Sequence, residues 1–125
     1  MTTSVFLVED SALVRERLRG ILAGLPGVEA VGEAAGAEQA IEAIVRQRPD
    51  IALLDLSLAQ GGGFDVLRAV RAAAPEVDCY MLSNTSAFPY RQLAERLGAR
   101  GYFDKTREFE RVREVIAGRA SATPY

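Results

Sequence analysis

The chain is 125 residues long, which accommodates one domain and leaves no room for a second. At 49% hydrophobic and 26% charged residues, it has the composition of a soluble globular protein that can bury a core without disulfides or structural metal. A single cysteine (Cys79) excludes an internal disulfide, the absence of histidine excludes imidazole catalysis and a phosphohistidine relay, and a net charge of −2 gives no basic stripe for nucleic acid.

In chain order, short apolar runs alternate with segments of helical period. Val5–Val8, Ile51–Leu54 and Cys79–Leu82 are continuous apolar runs, as expected of parallel strands covered on both faces. Val28–Ala34 is more polar and contains Gly32, which places it at a sheet edge, and Tyr102-Phe103 forms a fifth, very short strand. Between them, Val14, Leu18, Ile21 and Leu25 share one helical face that Pro26-Gly27 ends. Ala40, Ile41, Ile44 and Val45 line a second helix, ending before Pro49, and Phe64, Leu67 and Val70 a third, closed near Pro75. Leu93, Ala94 and Leu97 mark a fourth, with Pro89 near its first turn and Gly98 past its end. Phe109, Val112, Val115 and Ile116 mark the last, weakened by Gly118, and the tail from Ala120 to Tyr125 is expected to fray. Five strand–helix repeats from about Ser4 to Arg119 predict a doubly wound α/β sheet, whose ligands sit beyond the carboxyl ends of the strands.

The polar candidates collect at that edge. Glu9-Asp10 follows strand one, Asp55 strand three, Ser83-Asn84-Thr85 strand four, and Asp104-Lys105 strand five. With strands one and three adjacent, Glu9, Asp10 and Asp55 repel one another and require a cation. Lys105, the only lysine among fifteen basic residues, supplies one; a hard, oxygen-loving ion such as Mg²⁺ suits the rest. Asp10 or Ser11 also fits the cap of the first helix. Gly61-Gly62-Gly63 is not followed by the Lys-Ser/Thr of a phosphate-binding loop and reads as a mobile connection. The residues therefore point to phosphoryl chemistry with Asp55 as nucleophile, metal and Lys105 as charge neutralisers, and Ser83 as a hydrogen-bonding hydroxyl.

This constellation resembles the CheY-like receiver domain of two-component response regulators. The residues carrying it are VFLVED-S, IALLDLSL with Gly63, LSN, and GARGYFDK, spread over nearly the whole chain. The resemblance implies a flavodoxin-like sheet of order 2-1-3-4-5 and a single receiver domain over residues 1–125, with a core of about 4–119 and a flexible C-terminal tail. It makes Asp55 the phospho-acceptor and assigns Mg²⁺ to Asp10 directly, Glu9 through water, Asp55 and the Ser57 carbonyl. It makes Ser83 the hydroxyl that turns toward the phosphoryl group, Lys105 its cationic partner and Tyr102 the aromatic switch. Departures from the family pattern are Thr106 after the lysine, Ala59 and Gly62 after the acceptor, and Asn84 after Ser83; Ser57 and Thr85 hold positions that tune dephosphorylation in the family. The function implied is a bacterial, cytoplasmic switch rather than a classical enzyme, one that catalyses its own phosphorylation and dephosphorylation. A sensor histidine kinase or phosphotransfer protein would be the donor, and a downstream protein would read helix four, strand five and helix five through Phe88, Tyr90 and Tyr102. No direct nucleic-acid or membrane contact is expected, and the domain is expected to be a monomer or weak dimer. The alternative is the receiver half of a longer DNA-binding regulator. A phosphatase of the haloacid-dehalogenase type would need a second aspartate at the position of Ser57.

Overall fold

The computed structural model describes residues 2–58, 62–84, 88–105 and 107–122, except the side chains of Phe88, Ser121 and Ala122. Ala59, Thr85 and Thr106 therefore lie outside the described residues, as does the Phe88 side chain. Strands β1 (Thr3–Val8), β2 (Val28–Ala34), β3 (Ile51–Asp55), β4 (Asp78–Ser83) and β5 (Gly101–Asp104) alternate with helices α1 (Ala12–Ala23), α2 (Ala37–Gln47), α3 (Gly63–Ala73), α4 (Phe88–Arg96) and α5 (Phe109–Ala122). The sheet is parallel with order β2-β1-β3-β4-β5.

The uninterrupted apolar runs follow from this layering. Val5, Leu7, Ile51, Leu53, Tyr80, Leu82 and Phe103 point to one face, where they meet Leu18, Ile21 and Leu22 of α1 and Phe109, Val112 and Ile116 of α5. Their neighbours Phe6, Val8, Ala52, Leu54, Cys79, Met81 and Tyr102 point to the other, against Ile44, Leu67 and Ala94 of α2, α3 and α4. Successive side chains point to opposite faces, so a strand covered twice has no polar side. β2 lies at the edge, as its polarity predicts, and its register against β1 jumps between Val5↔Ala30 and Phe6↔Gly32. At that jump a Cβ on Gly32 would lie 2.7 Å from the Phe6 ring, so the glycine makes room for the core aromatic.

Helix ends differ from expectation in two places. α1 stops at Ala23 with Gly24 as its C-cap, so Leu25 packs on the core from the turn rather than from the helix. α5 runs through Gly118 to Ala122, further than the expected fraying point at Ala120. The burial of Val112 and Ile116 anchors that helix from its middle, and tertiary packing outweighs the ~1 kcal/mol penalty of an internal glycine.

Candidate functional site

The parallel strands all end at one edge, where their polar C-terminal residues line a single cleft of about 510 Å³. Glu9, Asp10, Ser11 and Val14 come from the β1–α1 junction, Asp55 and Ser57 from the end of β3, Ser83 and Asn84 from β4, and Lys105 from β5. The cleft lies at the strand edge expected from the sequence and takes in the carboxylates after β1 and at the end of β3, whereas Asp104 of β5 does not line it.

Backbone hydrogen bonds fix each contributor. The Glu9 amide donates to the Ala34 carbonyl of β2 at 3.0 Å, and the Arg15 guanidinium holds the Glu9 carbonyl at 2.7 Å. Ser11, not Asp10, caps α1, its hydroxyl accepting from the Val14 amide at 3.3 Å; Asp10 is left exposed toward the cleft. The Leu56 amide donates to the Leu82 carbonyl at 2.8 Å, extending the β3–β4 ladder past Asp55. Likewise the Lys105 amide donates to the Ser83 carbonyl at 2.7 Å, which sets the lysine beside the serine.

Lys105 is pinned between two buried carboxylates. Its Nζ lies 2.5 Å from Glu9 Oε1 and 2.9 Å from Asp55 Oδ1, with Glu9 1% and Asp55 4% exposed. Burial would lower the ammonium's pKa, but the Glu9 and Asp55 carboxylates beside it outweigh burial and the net direction is up. Glu9 Oε2 accepts from the Ser11 amide at 3.0 Å. Glu9 Oε1, in contrast, is buried without a directed hydrogen bond, so the ammonium meets it as an ion pair only. The Ser57 amide donates to Asp55 Oδ1 at 3.3 Å. It is thus the Ser57 N–H that touches the carboxylate, a contact the sequence does not signal.

Oxygens of Glu9, Asp10 and Asp55 lie within 4.8 Å of one another. Three carboxylates against one ammonium leave two negative charges uncompensated. The donor set is oxygen only, and Glu9 Oε1 has no directed hydrogen bond beyond its ion pair with Lys105. A hard divalent cation fits both features.

The same crowding acts on Asp55. Burial, with the Glu9 charge adding to it and Lys105 opposing, pushes its carboxyl from the ordinary 3.8 up to about 6. The native state therefore holds this proton more tightly than the unfolded chain. The group's stabilising contribution is full below about 3.8, is lost as pH rises toward about 6, and is absent at neutrality. Asp55→Asn is accordingly expected to stabilise the fold at pH 7 by about 1–2 kcal/mol, after allowance for water at the cleft mouth. The gain should shrink at pH 5, and urea unfolding at both pH values measures it; an equal or larger gain at pH 5 would contradict the account.

Tyr102 does not line this cleft. It is buried on the α4 side of β5. It lines instead the α4–β5 groove, together with Arg91, Glu95 and Arg100. Of the expected surface aromatics, Tyr90 is exposed and stacks on Phe64 at 6.5 Å.

A family model described as the response regulator receiver domain matches residues 5–117. The chain is 34% identical over 120 residues to the DNA-binding transcriptional activator DevR/DosR of Mycobacterium tuberculosis, covering 93% of this chain and 55% of that protein. It is 34% identical over 132 residues to protein-glutamate methylesterase/protein-glutamine glutaminase 5 of Anaeromyxobacter dehalogenans, covering 96% of this chain and 36% of that protein. The chain thus spans from about a third to just over half the length of these curated relatives. Among solved structures, the signal receiver domain of NarL from Mycobacterium tuberculosis matches with a TM-score of 0.87 and 26% identity, over 98% of each chain. The response regulator domain of Thermotoga maritima CheB matches in fold, with a TM-score of 0.85 and 22% identity over 99% of this chain and all of the other.

Proposed function

Because the chain belongs to the response regulator receiver family of two-component signalling, we propose that Asp55 accepts a phosphoryl group from the phosphohistidine of a sensor histidine kinase or phosphotransfer protein. The observation that supports this most is the Glu9–Lys105–Asp55 arrangement, a buried carboxylate ringed by acids with one cation on it. Lys105 and the Ser57 amide both engage Oδ1 of Asp55, so we assign attack to Oδ2. Its oxygen–phosphorus bond forms as the donor's nitrogen–phosphorus bond breaks, and the imidazole leaves with the electron pair. With its carboxyl near 6, Asp55 is mostly ionised at neutral pH and able to attack.

Lys105 then pairs with the transferred oxygens, and the buried Ser83 hydroxyl turns toward them. Glu9, Asp10, Asp55 and the Ser57 carbonyl would hold Mg²⁺, whose bound charge neutralises the phosphoryl oxygens. The movement of Ser83 changes the setting of Tyr102, and with it the α4–β5–α5 face that a downstream protein reads. We take residues 4–119 as one self-contained unit, a monomer or weak dimer that binds no nucleic acid itself.

Incubation with acetyl phosphate and Mg²⁺ should yield one phosphoryl adduct by intact mass, absent without Mg²⁺ and absent in Asp55→Asn. The chain has no tryptophan for a fluorescence readout, so mass is the direct reporter. An adduct that persists in Asp55→Asn would overturn the assignment. The likeness to DevR/DosR over 55% of that protein supports a second reading, in which these residues are the receiver part of a longer DNA-binding regulator. A basic helix–turn–helix segment in the continuing reading frame would decide for it.

A further inference from the structure

β5 is an edge strand, and residues two apart in a strand present their backbone groups to the same side. The Lys105 amide faces β4, where it meets the Ser83 carbonyl, so Tyr102 and Asp104 turn their amides and carbonyls away from the sheet. Edge groups of this kind ordinarily go to water or invite a neighbouring chain. Here Arg91 of α4 donates Nη1 to the Tyr102 carbonyl at 3.1 Å, and Glu108 Oε1 accepts from the Asp104 amide at 3.1 Å. Arg91 Nη2 meets that same Glu108 oxygen at 2.5 Å. The guanidinium also lies 5.0 Å from the Tyr102 ring centroid. One ion pair thus ties α4, the outer edge of β5 and the start of α5 together, and covers the Tyr102 ring.

We propose that Arg91 and Glu108 are positioning residues for Tyr102. Their ion pair latches the outer edge of β5, keeps the phenol inward, and so pre-sets the α4–β5–α5 face before any phosphoryl group arrives. The proposal rests on the reading of this face as the output surface. An outward swing of the ring must break the Arg91 contact with the ring, while the Arg91 hydrogen bond to the Tyr102 carbonyl holds the guanidinium in its path. The pair is partly shielded, with side chains 35% and 18% exposed, whereas Arg113–Glu110 on α5 is an open surface pair at 50% and 71%.

The test uses the unmodified 125-residue protein and its Arg91→Ala, Glu108→Ala, Glu108→Gln and Arg113→Ala variants. Site-resolved nitration by tetranitromethane reports Tyr102 accessibility, with exposed Tyr90 as internal reference, and amide exchange reports Asp104. Both rates should rise about tenfold in Arg91→Ala and Glu108→Ala, stay unchanged in Arg113→Ala, and return toward wild type in Glu108→Gln, which keeps the acceptor. Unchanged Tyr102 nitration in both alanine variants overturns the latch. Acetyl-phosphate adducts, measured in parallel, should form equally in wild type and Arg91→Ala; loss only in the variant would place Arg91 at the acceptor site and also overturn it. Absence of an adduct from wild type itself would count against Asp55 as acceptor, while the latch is still judged on the unmodified protein.

Discussion

Gly63→Ala is expected to destabilise the fold by about 2–3 kcal/mol, at the upper end for an overpacked site, and to suppress phosphoryl adduct formation at Asp55. A Cβ on Gly63 would stand 2.2 Å from the Asp55 carbonyl oxygen and 2.9 Å from both the Asp55 carbonyl carbon and the Leu56 Cα. All three are backbone atoms, so no rotamer change relieves the clash. The Gly63 amide meanwhile donates to the Leu56 carbonyl at 3.0 Å, which draws the start of α3 onto the end of β3. Either that junction opens or the Asp55 backbone moves, and its carboxylate then leaves Lys105. Gly62→Ala is the internal control, because a Cβ there would find only Asp65 Oδ2 at 3.7 Å and the Leu56 carbonyl at 4.0 Å. Urea unfolding and intact mass on the two variants test this directly; equal behaviour of Gly62→Ala and Gly63→Ala would refute the close-approach explanation.

The order of elements and the location of the cleft are legible in the sequence because both depend on patterns local to the chain. Runs such as VFLV and IALL can be covered twice only in a sheet with helices on both sides, and such a sheet gathers Glu9, Asp55, Ser83 and Lys105 at one edge. Gly63 was visible only as part of a motif; its role depends on how closely α3 approaches β3. The Arg91–Glu108 pair gave no signal at all. Fourteen arginines offer equivalent candidates, and which of them meets Glu108 is decided by β5 lying between α4 and α5. The extension of α5 through Gly118 was hidden for a related reason: the glycine's local penalty is readable, but the packing of Ile116 that overrides it is not.

Lys105→Ala is expected to destabilise the domain at pH 7 by about 3 kcal/mol, at the low end for breaking a buried ion pair because the cleft opens to water. Its removal leaves Glu9 and Asp55, 1% and 4% exposed, facing each other with no cation, and Glu9 Oε1 has no directed hydrogen bond to fall back on. The two carboxylates relieve this by retaining a proton, so the loss should be smaller at pH 5 than at pH 7. Asp55→Asn in the same chain removes one of the two charges and should recover more than half of the loss. The gain from Asp55→Asn should therefore be larger in the Lys105→Ala background than alone, a coupling of about 1–2 kcal/mol between groups in contact. Additive effects in the four-variant urea cycle would mean that Lys105 does not hold the two acids together at rest. Lys105→Arg separates charge from shape: if the point charge alone matters, most stability returns, whereas adduct formation recovers only if the bulkier planar guanidinium also fits between Glu9 and Asp55.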